Sequence, residues 1–579
     1  MFSLLRKQKI LLVGLAFTAL SFTHIPVAVF PHIFDKNIAP QFVVLTLLAG
    51  IYGIYIALRA DQFRVHRLVR WSLYALVAVV LISALLSGNI VSSLTGDTGR
   101  YAGAITLFSL VIVAIFHSQF TFAQLRKLIT IYVSTSGAMA IIGVLQHFEV
   151  IELPGDQGVV GTLGNLDFYA AYIGISMPLY LFLAIGSSLR VRLVLLASVL
   201  FSFYSLILAT PLQAFVDIAI TLFGALIYLL RKRIPRFDWS LNVRTFLGTF
   251  AVVIWAEVIF LTPFIGSWIP VLGNDVQVKI RSNFWLAGMS GFFSQPFFGL
   301  GPDQYGNYYE EFRTLEDART YEKILSNDAH SSSVQTLATL GIFGTIAILF
   351  LIALFIRALF IIFDRNPEKR SWIFALGLLL SVFLTNSFIS PITPPTKYVM
   401  WAIGGWVVGQ VYRNTDLPNF SVRPLVASLS VAVLFVGANV AVSQVKYSQA
   451  FEKYAQDQNA KVDYTFSPYI PCFMYLEAEF QMVKSQGVDA VYKLASDQVG
   501  ANPRCVSARI LLAQIYEGRG DLANLKEQIY QLVEIAPTRT EIIRMAMSYA
   551  NKNSDTYLLG VLEKQMRALG LIYVPGTEG

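Results

Sequence analysis

The chain has 579 residues, 55% of them hydrophobic and only 14% charged, where a soluble domain carries about 25% charge. That composition excludes a soluble globular protein, and recurrent apolar runs of bilayer length make it a polytopic integral membrane protein. The formal charge of +8 is concentrated in loops on one side of those runs, so it is a topology signal and no nucleic-acid partner is expected.

Length and flanking charge predict about thirteen spans. They cover approximately 10–30, 41–58, 71–94, 102–120, 128–148, 166–186, 191–209, 214–230, 245–264, 334–356, 372–392, 398–412 and 425–443. The first follows Arg6, Lys7 and Lys9, and no small-residue cleavage site comes after it, so it reads as a span and not as a signal peptide. One set of alternate loops holds about 22 Lys and Arg, the other about eight. The basic set is cytoplasmic by the positive-inside rule. The N-terminus is then cytoplasmic, 265–333 is a large extracytoplasmic loop, and the tail lies outside. The expected fold is all-α: a membrane domain of about 12–13 spans over 1–443, in the cell membrane, followed by an extracytoplasmic helical-repeat domain over 444–579.

Taken in chain order, the outer face carries four polar clusters. "TGDTGRYAG" puts Arg100 at a helix mouth, with Asp97 as a simple ion-pair partner. "GTLGNLDFYAAY" places Asn165 and Asp167 just before the sixth span, where Asp167 reads as a helix cap. "RSNFWLAGMSGFFSQPFFGLGPDQYG" opens with Arg281, four residues before Trp285, so both share one helical face. That segment is too broken to span and is expected to lie along the interface, with a snorkelling anchor as the plain role for Arg281. Finally, "SNDAHSSS" sets His330 among Asn327, Asp328, Ser331 and Ser332 at the head of a span. Two arginines near one cavity suit a pyrophosphate, because guanidinium is always charged and binds in bidentate fashion. A histidine beside them can take a proton from a hydroxyl. P-loop, dinucleotide, zinc-ligand and nucleophile-elbow motifs are absent, and no metal or cofactor is expected.

In the tail, Pro503 and Pro537 are 34 residues apart, the tetratricopeptide period. Ala508, Leu512, Ala513 and Tyr516 form one packing face and Leu525, Ile529 and Leu532 the next, with a generic helical hairpin as the alternative. Stacks of this kind bind peptides or proteins, so a protein partner is expected there. Cys472 and Cys505 are the chain's two cysteines, and either a disulfide or two buried thiols fits their placement.

"IRSNFWLAGMSGFFSQPFFGLGPDQYG", followed by "NDAHSSSVQTLATLGIFG", resembles the O-antigen ligase and polymerase superfamily, as do "GTLGNLDFYAAYIGISMPL" and "TGRYAG". The likeness covers roughly 90–410. It implies glycan transfer outside the membrane, from a polyprenyl-diphosphate-linked donor to a lipid, glycan or protein hydroxyl, without a metal. It also implies roles: Arg281 and Arg100 for the diphosphate, His330 for the acceptor proton, and Trp285 and Asn165 for substrate. Asp328, Glu310 and Glu311 are substitute bases, and Lys397 is a further cation. The chain departs from the family pattern at His330-Ser331, at Asn165-Leu166-Asp167, and at Pro211-Leu212-Gln213, where a Ser-Arg pair is usual. Arg100 or Lys397 compensates for that missing arginine, or activity has been lost. Within the ligase reading, glycan polymerase and protein O-oligosaccharyltransferase stay open. A transporter or flippase, which would need Asp217 or Glu257 within a span, and a non-catalytic scaffold are the other classes.

Overall fold

A computed structural model describes residues 35–59, 63–97, 99–153, 158–230, 276–412, 419–462 and 481–571, with Val13, Phe17 and Ser21 from the N-terminal stretch. The expected spans 10–30 and 245–264 fall largely outside these residues. The first half contains α1 (Ile38–Leu58), strand β1 (Arg64–His66), α2 (Arg67–Leu86), α3 (Ile90–Thr95), α4 (Ala104–His117), α5 (Phe122–His147), α6 (Leu166–Ala184), α7 (Leu189–Ala209) and α8 (Leu212–Leu230). After them come α9 (Val276–Ser294), α10 (Tyr305–Phe312), α11 (Leu315–Thr320), α12 (Ser332–Arg365), α13 (Arg370–Ile389), α14 (Pro394–Tyr412), strand β2 (Asn419–Ser421) and α15 (Arg423–Gln456). Among the described residues nine helices are long and apolar enough to cross a membrane, as expected of a multi-pass helical protein.

Small residues set the closest helix contacts. Gly405 and Gly409 lie one turn apart on α14, and a Cβ at either would strike the backbone of Ala114 or Ser118. α4 and α14 therefore approach at backbone distance, the small-xxx-small packing of membrane helices. α1 packs against α15 and α4, α6 against α13, and α9 and α2 against α12. Strands β1 and β2 pair antiparallel, Val65 opposite Phe420, joining two of the basic loops on one side of the bundle.

Three spans differ from expectation. The third stops at Leu86, where Gly88 has φ 69°, and short α3 follows. The fourth is a helix of 14 residues, about 21 Å at 1.5 Å per residue, short of a roughly 30 Å core. The tenth is broken at Gly341 (φ 64°, ψ −165°). The break frees the carbonyls of Ala338 and Thr339, which accept from Leu300 N at 2.9 Å and Gly301 N at 3.0 Å, while Ile342 N donates to Pro296 O at 2.8 Å. Thus the "PFFGLG" segment is stapled onto the broken helix, satisfying backbone groups that a bilayer would otherwise leave unpaired.

α15 runs unbroken to Gln456, so the last apolar helix and the start of the tail are one element. Beyond it lie α16 (Val488–Ala501), α17 (Val506–Arg519), α18 (Leu522–Ile535), α19 (Thr540–Lys552) and α20 (Thr556–Ala568), each packed on the next in sequence. Ala508, Leu512, Ala513, Leu525, Ile529 and Leu532 are buried, and Tyr516 is packed at the edge. Cys505 is disulfide-bonded; Cys472 lies outside the described residues.

Candidate active site

His330 sits just ahead of α12 in a left-handed backbone conformation, φ 52°, uncommon for a residue with a side chain. Asp328 fixes it there, its Oδ1 accepting from His330 N at 2.7 Å. The imidazole lies 5.3 Å from the Phe284 ring of α9, and its Nδ1 is buried with no hydrogen-bond partner. Burial, then the charges of Arg100 and Arg281, hold its pKa well below the usual histidine value. The ring is therefore neutral, with a free nitrogen and two cations close by.

Arg281 projects from α9 and pairs with Asp167 of α6, Nη2 to Oδ2 at 2.9 Å. Asp167 was expected to cap its helix; Asn165 does this instead, its Oδ1 accepting from Asp167 N at 2.9 Å and Phe168 N at 3.3 Å. Gln213 Nε2, standing where an arginine is usual in the resembled family, donates to Asp167 O at 2.6 Å. Arg100 Nε donates to Asn327 Oδ1 at 2.9 Å, not to Asp97, and its guanidinium lies 5.4 Å from the Phe168 ring centre. Arg100, Arg281, Asn165 and His330, far apart in sequence, are thus joined through Asp167, Phe168 and the 327–330 turn.

A second group adjoins the first. Asp328 is 6% exposed; burial raises its carboxyl above the usual carboxylate range, partly offset by the charges of Arg100 and Lys397. Asp303, in the "GLGPDQYG" turn, also has a left-handed backbone, φ 58°. Its Oδ2 accepts from Asp97 N at 2.8 Å and Ala102 N at 3.0 Å, while Oδ1 is buried without a partner. Burial pushes its carboxyl up to about 7, against the two backbone donors, with Asp328 adding and Lys397 subtracting. Asp303, Asp328 and Lys397 line one end of a cavity of about 430 Å³ between α2, α4, α12, α13 and α14. From there an apolar groove passes Leu110, Phe355, Leu384 and Trp401 to His66 and Tyr412, at the end where β1 and β2 pair.

The remaining candidates go elsewhere. Trp285 belongs to the apolar cluster with Phe284, Tyr305 and Tyr309 and is packing beneath the site. Glu310 is turned toward the tail: it pairs with Arg539 at 3.5 Å, and its carbonyl accepts from Thr538 Oγ1 at 3.2 Å. Glu311 is bound by Arg504. Both carboxylates are held by tail cations because α10 lies beneath α18 and its neighbours. Sequence reading did not single out Asp303 or Phe168, and named Asn327 only as a neighbour of His330. All three stood inside quoted motifs, and for Asp303 a carboxylate in a glycine-rich turn was the available signal.

No family model matches the chain, and no curated protein matches it either. Fold and site together define a multi-pass helical membrane protein with Lys397 and two carboxyl groups at one end of an apolar groove and an arginine–histidine group beside them.

Proposed function

We propose that the protein transfers a glycan from a polyprenyl-diphosphate donor to an acceptor hydroxyl on the extracytoplasmic face, as a member of the O-antigen ligase and polymerase superfamily. The supporting observation is the groove, mostly apolar and lined at one end by Lys397, Asp328 and Asp303. A prenyl chain suits the former and a diphosphate the latter. Arg100 acts on Lys397 and Asp328 and, with Arg281, on His330, so the arginine–histidine group adjoins that end of the groove. In this reading the guanidiniums and Lys397 hold the diphosphate. The acceptor oxygen attacks the anomeric carbon, the carbon–oxygen bond to the diphosphate breaks, and His330 Nδ1 takes the acceptor's proton. Burial, and after it the two cations, make His330 a weak base in the free protein; the donor's negative charge offsets the cations and raises the ring's basicity once the donor is bound.

The side bearing the site is extracytoplasmic in this topology, because the paired β1 and β2 loops are basic. The tail helices, joined to the loop helices α10 and α11, lie on the same side as a tetratricopeptide-like unit available to a protein partner. Deleting the gene and analysing surface glycans tests the activity. Accumulated full-length lipid-linked glycan supports a ligase, single capped units a polymerase; an unchanged glycan profile rejects both.

One observation favours a second reading, a transporter. Asp217 on α8 is buried and accepts from Asn386 Nδ2 of α13 at 2.8 and 2.9 Å; a buried carboxylate within a span is what ion coupling needs. Asp217→Asn abolishes transport in that case and leaves glycan transfer intact in ours.

A further inference from the structure

We propose that Asp303 binds the anionic head group in the groove as a neutral acid, Oδ1 donating a hydrogen bond to a phosphate oxygen, so that binding takes up one proton. The proposal rests on the reading of the groove as a lipid-phosphate site. Three observations carry it. First, the two carboxyl oxygens are unequal. Oδ2 accepts from two backbone N–H groups, which makes it the carbonyl-like oxygen and leaves Oδ1 as the atom that carries a proton. Second, Oδ1 is buried without a partner in a residue only 3% exposed, on the lining of the groove's polar end. A buried polar atom with no partner is costly unless a ligand completes it. Third, a carboxylate there would repel a phosphate, and Asp328 is a second carboxyl nearby. A neutral acid removes the repulsion and adds a donor.

The free carboxyl titrates near pH 7, and an anion against Oδ1 drives it further toward the protonated form. The charged and titratable groups facing it are Lys397 from α14, Asp328 ahead of α12, and Asp97 and Arg100 from the loop before α4, with His330 beyond Asp328. Lys397 and Asp328 are the groups whose own titration would mimic the effect, so the test separates Asp303 from them.

The probe is farnesyl methyl phosphate, a phosphodiester whose single charge is constant from pH 6 to 9. Its binding to the full chain in nanodiscs is followed by calorimetry in two buffers of different ionisation heat. Wild type is expected to bind evenly up to about pH 7 and then to weaken by up to about tenfold per pH unit, with about one proton taken up at high pH. Asp303→Asn keeps an acceptor for the two N–H groups and presents an N–H₂ donor; it is expected to bind evenly to pH 9 with no proton uptake. Asp303→Ala should bind about ten- to a hundredfold more weakly at pH 6. Binding by wild type without proton uptake overturns the proposal alone. Proton uptake surviving in Asp303→Asn also overturns it and assigns the effect to Lys397 or Asp328. Absence of binding by wild type at every pH overturns both the proposal and the lipid-phosphate reading.

Discussion

His330 owes its position to Asp328 and its neutrality to burial and two arginines. Removing a general base typically costs about 10²–10⁴-fold in rate. His330→Gln keeps a hydrogen-bonding group without basicity and should lose that much transfer while donor binding persists. The imidazole also marks the stability profile. Its folded pKa lies below the ordinary 6.5, so the unfolded chain binds a proton more readily as pH falls. The stability is present above about pH 6.5 and lost on acidification. Thermal unfolding from pH 7 to 5 should therefore show His330→Gln losing less than wild type; parallel losses would remove His330 as the cause. Arg281→Lys keeps charge but loses the planar fork that can serve Asp167 and a phosphate together. Transfer should fall in that variant nearly as far as in Arg281→Ala, and full activity in Lys would leave only a charge requirement. At this scale His330, Arg100 and Arg281 were legible, because polar residues at helix mouths stand out against apolar sequence. Asp303 was not singled out, since its importance comes from two backbone donors in a loop some 200 residues earlier in the chain.

Among elements, α12 couples the motifs. The apolar run continues through Gly341, so composition reads one uninterrupted span, and the break shows only in the hydrogen bonds to Leu300 and Gly301. Gly341→Ala meets two obstacles: a positive φ suited to glycine, and a Cβ against the Phe297 backbone. Strain of this kind costs about 1–3 kcal/mol before the clash is counted. A lower melting temperature and reduced transfer are expected, while Gly560→Ala on α20, with open space around its Cβ, should lower neither. Equal melting of the two variants would mean that the staple does not hold α12. Spans such as α1, α5 and α13 were readable because about twenty apolar residues suffice to declare a helix in lipid. The groove was not, because it exists only where five helices pack, and no one of them carries its signature.

For the whole molecule, the tail and the loop helices are tied by buried polar contacts. Arg313, 4% exposed, donates to Thr538 Oγ1 at 2.7 Å and to Glu322 O at 3.2 Å, and Arg504 lies over the Tyr308 ring at 3.8 Å. Arg313→Ala should speed hydrogen exchange in α18 and α19 without changing it in α4 or α14; unchanged exchange in α18 and α19 would mean that the tail holds its place without this contact. The tail's helical spacing was legible, but its attachment to α10 was not, so Glu310 and Glu311 read as candidate bases when their partners are tail arginines. The central claim is that the groove delivers a lipid-linked donor to His330. Its most direct test is transfer by the purified full chain in detergent, with a polyprenyl-diphosphate glycan, an acceptor and a chelator present. The account predicts product from wild type and roughly 10²–10⁴-fold less from His330→Gln at equal donor binding; full transfer by His330→Gln, or a donor that wild type binds but never consumes, would contradict it.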